Sequence, residues 1–311
     1  MISSIFAKTK PFNYLILFAC LAVLMLLAHI FLRPTTTDWM VWGYTSALFL
    51  VLAFSIWLIN FIVERNKLTG PNAFVILGFT ALVFVFPRTL LDDKAVWCNL
   101  FLLLAQRRLL SLKSLRQNRM KIYDATLWIL VASFFYDWAV LYLLLVFLAV
   151  YFYEPKNLRN WLVPLSALVT VVVLYYCYVL LFREGQWHVD HYSFNWRSVG
   201  SFMQDQLYTV QFGALVLVAV LTLTLSFFNH KDPGTAGLVS IRLIMASFIL
   251  GVLLTVLKSG PGTHPVMVTF FPAAVFMANY IDGVQKPRLK EILLSALIVV
   301  PLVVAVVTLM G

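Results

Sequence analysis

Long apolar runs separated by short polar stretches make up most of the chain. A membrane-crossing helix needs about 20 mainly apolar residues, and the runs are apolar on every face, without the alternation typical of barrel strands. The pattern predicts an all-α, polytopic transmembrane helix bundle that forms one integral membrane domain over residues 1–311. About eleven spans are expected, at 12–32, 40–63, 71–86, 95–112, 122–136, 139–153, 161–182, 210–228, 239–257, 265–281 and 292–310.

Three of these runs, 71–86, 122–136 and 139–153, are short for a full crossing, so whether they cross stays open. The first run, 12–32, is longer than the apolar core of a signal peptide and ends in the bulky residues Ile30, Phe31 and Leu32. We therefore expect it to be an uncleaved first span.

Composition supports a membrane protein and argues against a soluble globular domain and an intrinsically disordered chain. The chain is 62% apolar and 12% charged, whereas soluble domains are about 25% charged. An aromatic content of 15% excludes intrinsic disorder. The net charge of +10 sits in short loops, so no nucleic-acid partner is predicted. Cys20, Cys98 and Cys177 lie in or beside apolar runs, and their spacing fits no metal motif.

The distribution of Lys and Arg predicts the orientation. With eleven crossings, about three quarters of these residues fall on the side of the N-terminus, which the positive-inside rule makes the cytoplasm. The N-terminus is then inside and the C-terminus outside. If 122–153 were one helix, the split would be nearly even, and Asp137 would lie at mid-membrane at a cost of a few kcal/mol. We therefore expect a hairpin with Asp137 and Trp138 at its outer turn.

Three acids on the expected outer side are candidate catalytic residues. Asp38 precedes the second span, where it is either a general base or a helix N-cap. Asp92 and Asp93 precede the fourth span. They either help bind a divalent cation or stabilise the positive end of the helix dipole.

Four basic residues on the same side are candidates for binding a substrate phosphate. Arg88 lies in the second outer loop, and Arg197 lies in the outer loop 183–209, where the spacing of apolar residues predicts an interfacial amphipathic helix. Lys258 and His264 bound a Gly- and Pro-rich turn that lacks the spacing of a nucleotide-binding loop. The pair His188 and His191 lacks the further ligands of a zinc site.

The expected inner side has six cations between residues 107 and 121, which are typical of orientation signals and of contact with anionic lipid. Asp124 follows them, and we expect it to cap the next helix.

Two resemblances narrow the choice of function. The segments Phe6 to Tyr14 and Asn99 to Arg108 resemble a family of polytopic bacterial inner-membrane proteins of unassigned function. Residues 1–182 resemble, more distantly, the C superfamily of integral-membrane glycosyltransferases, because Asp38 lies in the first outer loop and Arg88, Asp92 and Asp93 lie in the second. That resemblance implies transfer of a sugar from a polyprenyl-phosphate donor on the outer face, with a carboxylate as base and basic residues on the phosphate.

The sequence thus favours a multi-pass protein of a bacterial inner membrane. Its expected partners are membrane lipids and a polyprenyl-phosphate-linked sugar, and a divalent cation is the one cofactor that the acids suggest. No metal ligands are assigned. The alternatives are a non-catalytic membrane subunit of a cell-envelope assembly and a transporter. The transporter is less favoured because we find no inverted repeat and because the acids lie near span ends.

Overall fold

The computed structural model describes residue 6, residues 11–32, 39–182, 192, 205–229, 234–260 and 262–310, with the backbone alone at 227–229 and 234–236. Asp38, His188, His191, Arg197 and most of the expected interfacial helix lie outside the described residues.

Eleven α-helices make up nearly all of the described chain, and no named strand occurs in it. Short 3-10 segments at Pro87–Leu91, Ser111–Ser114, Asp137–Tyr142 and Pro265–Thr269 connect some of them. The helices are α1 (Pro11–Leu32), α2 (Trp39–Asn66), α3 (Phe74–Val85), α4 (Asp93–Leu110), α5 (Asn118–Ser133), α6 (Leu143–Tyr153), α7 (Leu158–Phe182), α8 (Gln206–Asn229), α9 (Gly234–Lys258), α10 (Phe270–Gly283) and α11 (Pro287–Met310).

Eight helical segments in the described residues are long and apolar enough to cross a membrane. The fold is therefore that of a multi-pass helical membrane protein. The three runs that the sequence marks as short become α3, α5 and α6, with 12, 16 and 11 residues. At 1.5 Å per residue, α3 is about 18 Å long, against a hydrocarbon thickness of about 30 Å. The figure of eleven spans stays a prediction, as does the orientation.

The centre of the bundle consists of α3, α4 and α10. Residues 74–83 of α3 are all buried, as are residues 270–278 of α10, and the two helices pack against each other. Gly78 permits this close approach, because a Cβ there would lie 3.3 Å from the Cβ of Ala274. Helix α4 packs between α2 and α5.

The outer helices expose wide apolar faces. Along α7 the exposed side chains include Leu165, Val169, Val173, Leu174 and Leu181. Soluble monomers rarely expose a contiguous apolar patch of this kind, whereas a bilayer solvates it.

The segment 118–153 is two helices, as the sequence predicts. Helix α5 ends at Ser133, and α6 begins at Leu143 after a turn and a 3-10 segment that starts at Asp137. Asp137 lies in this connection and is fully buried.

The two ends of the bundle differ in charge. We call the end that contains Asp92, Asp137 and His264 the Asp92 end, and the opposite end, where α2 and α4 terminate, the Arg107 end. Asp124 lies at the Arg107 end. The expectation that it caps α5 is wrong, because its carboxylate lies within α5 and forms an ion pair with Arg108 at 2.9 Å.

Candidate functional site

The Asp92 end collects most of the polar side chains that the sequence marks for chemistry. Helix α4 starts there, the 3-10 segments at 87–91 and 137–142 lie there, and the turn from Lys258 to His264 closes over them. The turn is tight, with Gly262 at a φ of 74° and backbone hydrogen bonds between Gly260 and Thr263.

Asp92 is the N-cap of α4 and is buried. Its Oδ1 accepts a hydrogen bond from the N–H of Ala95 at 3.3 Å, which satisfies one of the free donors of the helix N-terminus. Its Oδ2 accepts the hydroxyl of Tyr136 and the main-chain N–H of His264 at 2.6 Å. The carboxylate therefore connects the start of α4 to two segments distant in sequence.

Tyr136 is enclosed beside this carboxylate. Burial raises the pKa of Tyr136 well above its usual value, and the charge of Asp92 raises that pKa further. Tyr136 thus stays a neutral donor to Asp92 at physiological pH.

His264 contributes its main-chain N–H to Asp92 and its ring to Tyr208, with the ring centres 5.1 Å apart. Its Nδ1 is buried and has no hydrogen-bond partner among the described residues. Burial lowers the pKa of His264; Arg88 also lowers it, while Asp92 and Asp205 oppose that shift. The imidazole is consequently neutral near pH 7, which gives it a donor and an acceptor but no charge for a phosphate.

Arg88 forms an ion pair with Asp205, and both side chains are about one third exposed. Asp205 also accepts a hydrogen bond from the N–H of Tyr208 at 3.2 Å, so it caps the start of α8. This partner was not identified from the sequence. The signal for it was an acid directly before an apolar run, the same pattern that marks Asp92.

A second ion pair lies beside this group. Lys258 Nζ lies 3.0 Å from Oδ1 of Asp137, and the same oxygen accepts the N–H of Trp138 at 3.0 Å. The other oxygen of Asp137, Oδ2, is buried and has no hydrogen-bond partner among the described residues. Lys258 is thus engaged with a buried acid.

An apolar groove of about 350 Å³ lies on the side of the bundle, and one of its lining residues, Val140, belongs to the 3-10 segment that begins at Asp137. Helices α5, α6 and α7 form it, with Leu168 and Val172 exposed along it, so it opens toward lipid. At one end the hydroxyls of Ser133 and Tyr192 lie 3.0 Å apart. Burial raises the pKa of Tyr192, and the charges of Tyr175 and Asp137 add smaller contributions in the same direction. The lining residues are Leu130, Ser133, Phe134, Val140, Leu143, Leu168, Val171, Val172, Tyr175 and Tyr192.

The structure brings several of the seven predicted site residues to one end. Arg88, Asp92 and His264 belong to a single electrostatic group, and Asp93 follows Asp92 as the first residue of α4, partly buried. Lys258 lies on the same turn as His264 but contacts Asp137. Asp38 and Arg197 lie outside the described residues. Sequence reasoning did not identify Tyr136 or Ser133, because hydroxyls inside apolar runs give no periodic signal, and it did not identify Tyr208 at the end of the loop 183–209.

The acids do not converge as metal ligands. In the part of the chain that the structure describes, no group of three or more His, Cys, Asp or Glu side chains is arranged to hold a metal. Both oxygens of Asp92 already accept hydrogen bonds from protein donors. The described residues therefore do not fit a divalent cation, and we derive no step through one.

Comparison with protein-family models, curated proteins and solved structures finds no match to this chain. Its class is defined by the fold alone, as a multi-pass helical membrane protein with a polar group at one end and a lipid-facing groove beside it.

Proposed function

We propose that this protein is a membrane enzyme that transfers a sugar from a polyprenyl-phosphate donor at the Asp92 end. The observation that carries the proposal is the apolar groove whose lining includes Val140, in the same 3-10 segment as Asp137, the partner of Lys258. An isoprenoid chain needs an apolar path open to the bilayer, and its phosphate needs cations at the end of that path. In this proposal the groove would hold the isoprenoid chain, and Lys258 and Arg88, at the same end of the bundle, would bind the phosphate.

In the proposed reaction, the acceptor hydroxyl attacks the anomeric carbon of the donor sugar. The new C–O bond forms as the bond from that carbon to the phosphate oxygen breaks, and polyprenyl phosphate leaves. A carboxylate takes the proton of the hydroxyl. We assign this role to Asp93 or Asp38 and a positioning role to Asp92, because three protein donors already bind the Asp92 carboxylate.

The cations at this end require a change of partner during binding. Lys258 is paired with Asp137 and Arg88 with Asp205. An incoming phosphate would compete for both cations, and the neutral His264 beside them would donate a hydrogen bond. The proposed cellular location is a bacterial inner membrane, with the Asp92 end outside.

Binding of the donor can be tested with the full chain in lipid nanodiscs and a polyprenyl phosphate that carries a photoreactive group on its isoprenoid chain. We expect labelling on α5, α6 or α7. Val171→Trp, which fills the groove, should lower labelling about tenfold. The matched control, Val173→Trp, places the same side chain on the exposed face of the same helix and should leave labelling within about twofold. Labelling that ignores Val171→Trp would overturn the proposed donor site.

Transfer is tested separately, by release of polyprenyl phosphate from polyprenyl-phosphate hexoses in the presence of membrane extracts that contain acceptors. Asp93→Asn should lower release, by about 100-fold if Asp93 is the base. Equal release by the wild-type protein and by the double variant Asp38→Asn/Asp93→Asn would contradict the assignment of the base.

A second candidate is a non-catalytic membrane subunit of a cell-envelope assembly. The three hydrogen bonds to the Asp92 carboxylate favour this candidate, since a carboxylate with three protein donors is typical of a structural role rather than of a catalytic one. In that case the lipid binds without any transfer, and stable partner proteins copurify in mild detergent.

A further inference from the structure

Two arginines at the Arg107 end share one aromatic ring. Arg65 lies in the last turn of α2 and Arg107 in the last turn of α4. The guanidinium carbons of Arg65 and Arg107 lie 5.5 Å and 4.7 Å from the centre of the Phe61 ring. Cation–π attraction and the negative ends of the two helices hold both charges at this place.

The neighbouring side chains do not neutralise the positive charges of Arg65 and Arg107. Arg108 is engaged by Asp124 at 2.9 Å. Lys121 donates to the carbonyl of Ser111 at 2.8 Å, and its pKa is lowered by burial and then by the nearby charges of Arg108 and Arg65. Among the described residues, neither Arg65 nor Arg107 forms an ion pair with a carboxylate.

An aromatic face leads away from the arginines along α2. Phe54 and Trp57 stack with ring centres 5.7 Å apart, and Trp57 and Phe61 stack at 5.9 Å. Phe54 is 45% exposed and Trp57 is 52% exposed, so this face borders the lipid. From Phe54 to Phe61 it extends about 10 Å along the helix axis.

We propose that Arg65 and Arg107, together with the Phe54–Trp57–Phe61 face, bind one anionic phospholipid in the leaflet at the Arg107 end. The two guanidinium groups bind the phosphodiester, which they can contact through paired N–H donors. An acyl chain lies along the aromatic face. This site is at the other end of the bundle from the proposed donor site and does not depend on it.

The test is native mass spectrometry of the full chain in detergent, with dioleoyl phosphatidylglycerol and dioleoyl phosphatidylcholine as probes. We expect phosphatidylglycerol to bind at least about tenfold more tightly than phosphatidylcholine. The double variant Arg65→Gln/Arg107→Gln should weaken phosphatidylglycerol binding about 30-fold, on the basis of two cations at a lipid surface. Arg65→Lys/Arg107→Lys keeps the charges but loses the paired donors, and should fall between.

The matched control is Arg116→Gln/Arg159→Gln, which removes two exposed cations and leaves the Phe61 ring intact. It should change binding by less than about twofold. An equal loss in both double variants would overturn the site, as would equal binding of the two lipids by the wild-type protein. The lipid comparison needs no variant, so a variant that fails to fold does not weaken the test.

Two further arms identify the ligand. Trp57→Ala should weaken phosphatidylglycerol binding about fivefold, because it removes the middle of the aromatic face. Inorganic phosphate at millimolar concentration should not displace the lipid. Displacement by phosphate together with insensitivity to Trp57→Ala would show a site for a soluble anion, and would overturn the proposal.

Discussion

The carboxylate of Asp92 accepts a hydrogen bond from the main-chain N–H of His264 at 2.6 Å, across 172 residues of sequence. Because the same carboxylate caps α4 and accepts the hydroxyl of Tyr136, one buried side chain fixes the relative positions of three segments. The Asp92 end is therefore held together by an acid that a motif search would rank as catalytic.

Replacement of Asp92 should lower the free energy of unfolding, because its carboxylate holds three segments together. Asp92→Ala removes the acceptor of the Tyr136 hydroxyl and of the His264 N–H, and one of the two acceptors of the Ala95 N–H, so we expect a loss of about 3 kcal/mol. The measurement is thermal unfolding in detergent. Asp93→Asn, one residue further on, is the control and should cost less than about 1 kcal/mol. Equal destabilisation by both variants would contradict the tying role of Asp92.

The Asp137–Lys258 pair predicts strong coupling between two substitutions. Lys258→Met removes the cation from a fully buried acid and should cost about 3–5 kcal/mol, since an unpaired buried charge is strongly unfavourable. Asp137→Asn/Lys258→Met should recover much of that loss. A double-mutant cycle of unfolding free energies checks this, and additive costs would mean that the two side chains do not interact.

The buried imidazole of His264 predicts a loss of stability in acid. Its folded-state pKa is lowered, so the unfolded chain binds a proton first as pH falls through about 6.5. The contribution of His264 is present above that pH and is lost below it, as the pH approaches the folded-state pKa. The unfolding temperature should thus drop between pH 7.5 and pH 5.5. His264→Gln should reduce the drop, and an unchanged pH profile in that variant would exclude His264 as its source.

Residue 70, in the loop after α2, has room only for a glycine. The N–H of Gly70 donates to Oδ2 of Asp282 at 3.1 Å, and a Cβ at residue 70 would overlap that same oxygen. Gly70→Ala should cost about 1–3 kcal/mol, because the carboxylate must move away from its donor. At Gly43, inside α2, nothing lies within 4 Å of an added Cβ. Gly43→Ala should therefore be neutral or stabilising by up to about 1 kcal/mol, and a reversed order in melting experiments would contradict the packing.

If α4 crosses the membrane, residues before and after it should be accessible to a water-soluble reagent from opposite sides. In a background without Cys20, Cys98 and Cys177, Lys94→Cys should react with a membrane-impermeant maleimide on intact cells. Arg116→Cys should react only after the membrane is opened. Labelling of both on the same side would mean that α4 does not cross.

Much of the helical pattern follows from hydropathy, because a backbone in hydrocarbon must satisfy its own hydrogen bonds. The position of Asp137 in the apolar run 122–153 led to the prediction of two helices, which the structure confirms. Pairings across the bundle were not predictable. Asp205 with Arg88, Lys258 with Asp137 and Asp124 with Arg108 depend on how the helices pack, which local sequence does not encode. An acid directly before an apolar run indicated that Asp92 caps a helix. Nothing in the local sequence indicated that Tyr136 and His264 would also donate hydrogen bonds to its carboxylate.

The short central helix α3 has a consequence for biogenesis. With 12 residues surrounded by protein, it is a poor candidate for independent insertion from a ribosome-bound chain. Its packing partners α10 and α11 are translated long after it, with six other helices in between. The segment must therefore stay shielded, by earlier helices or by the insertion machinery, until α10 and α11 have been synthesised and can pack against it.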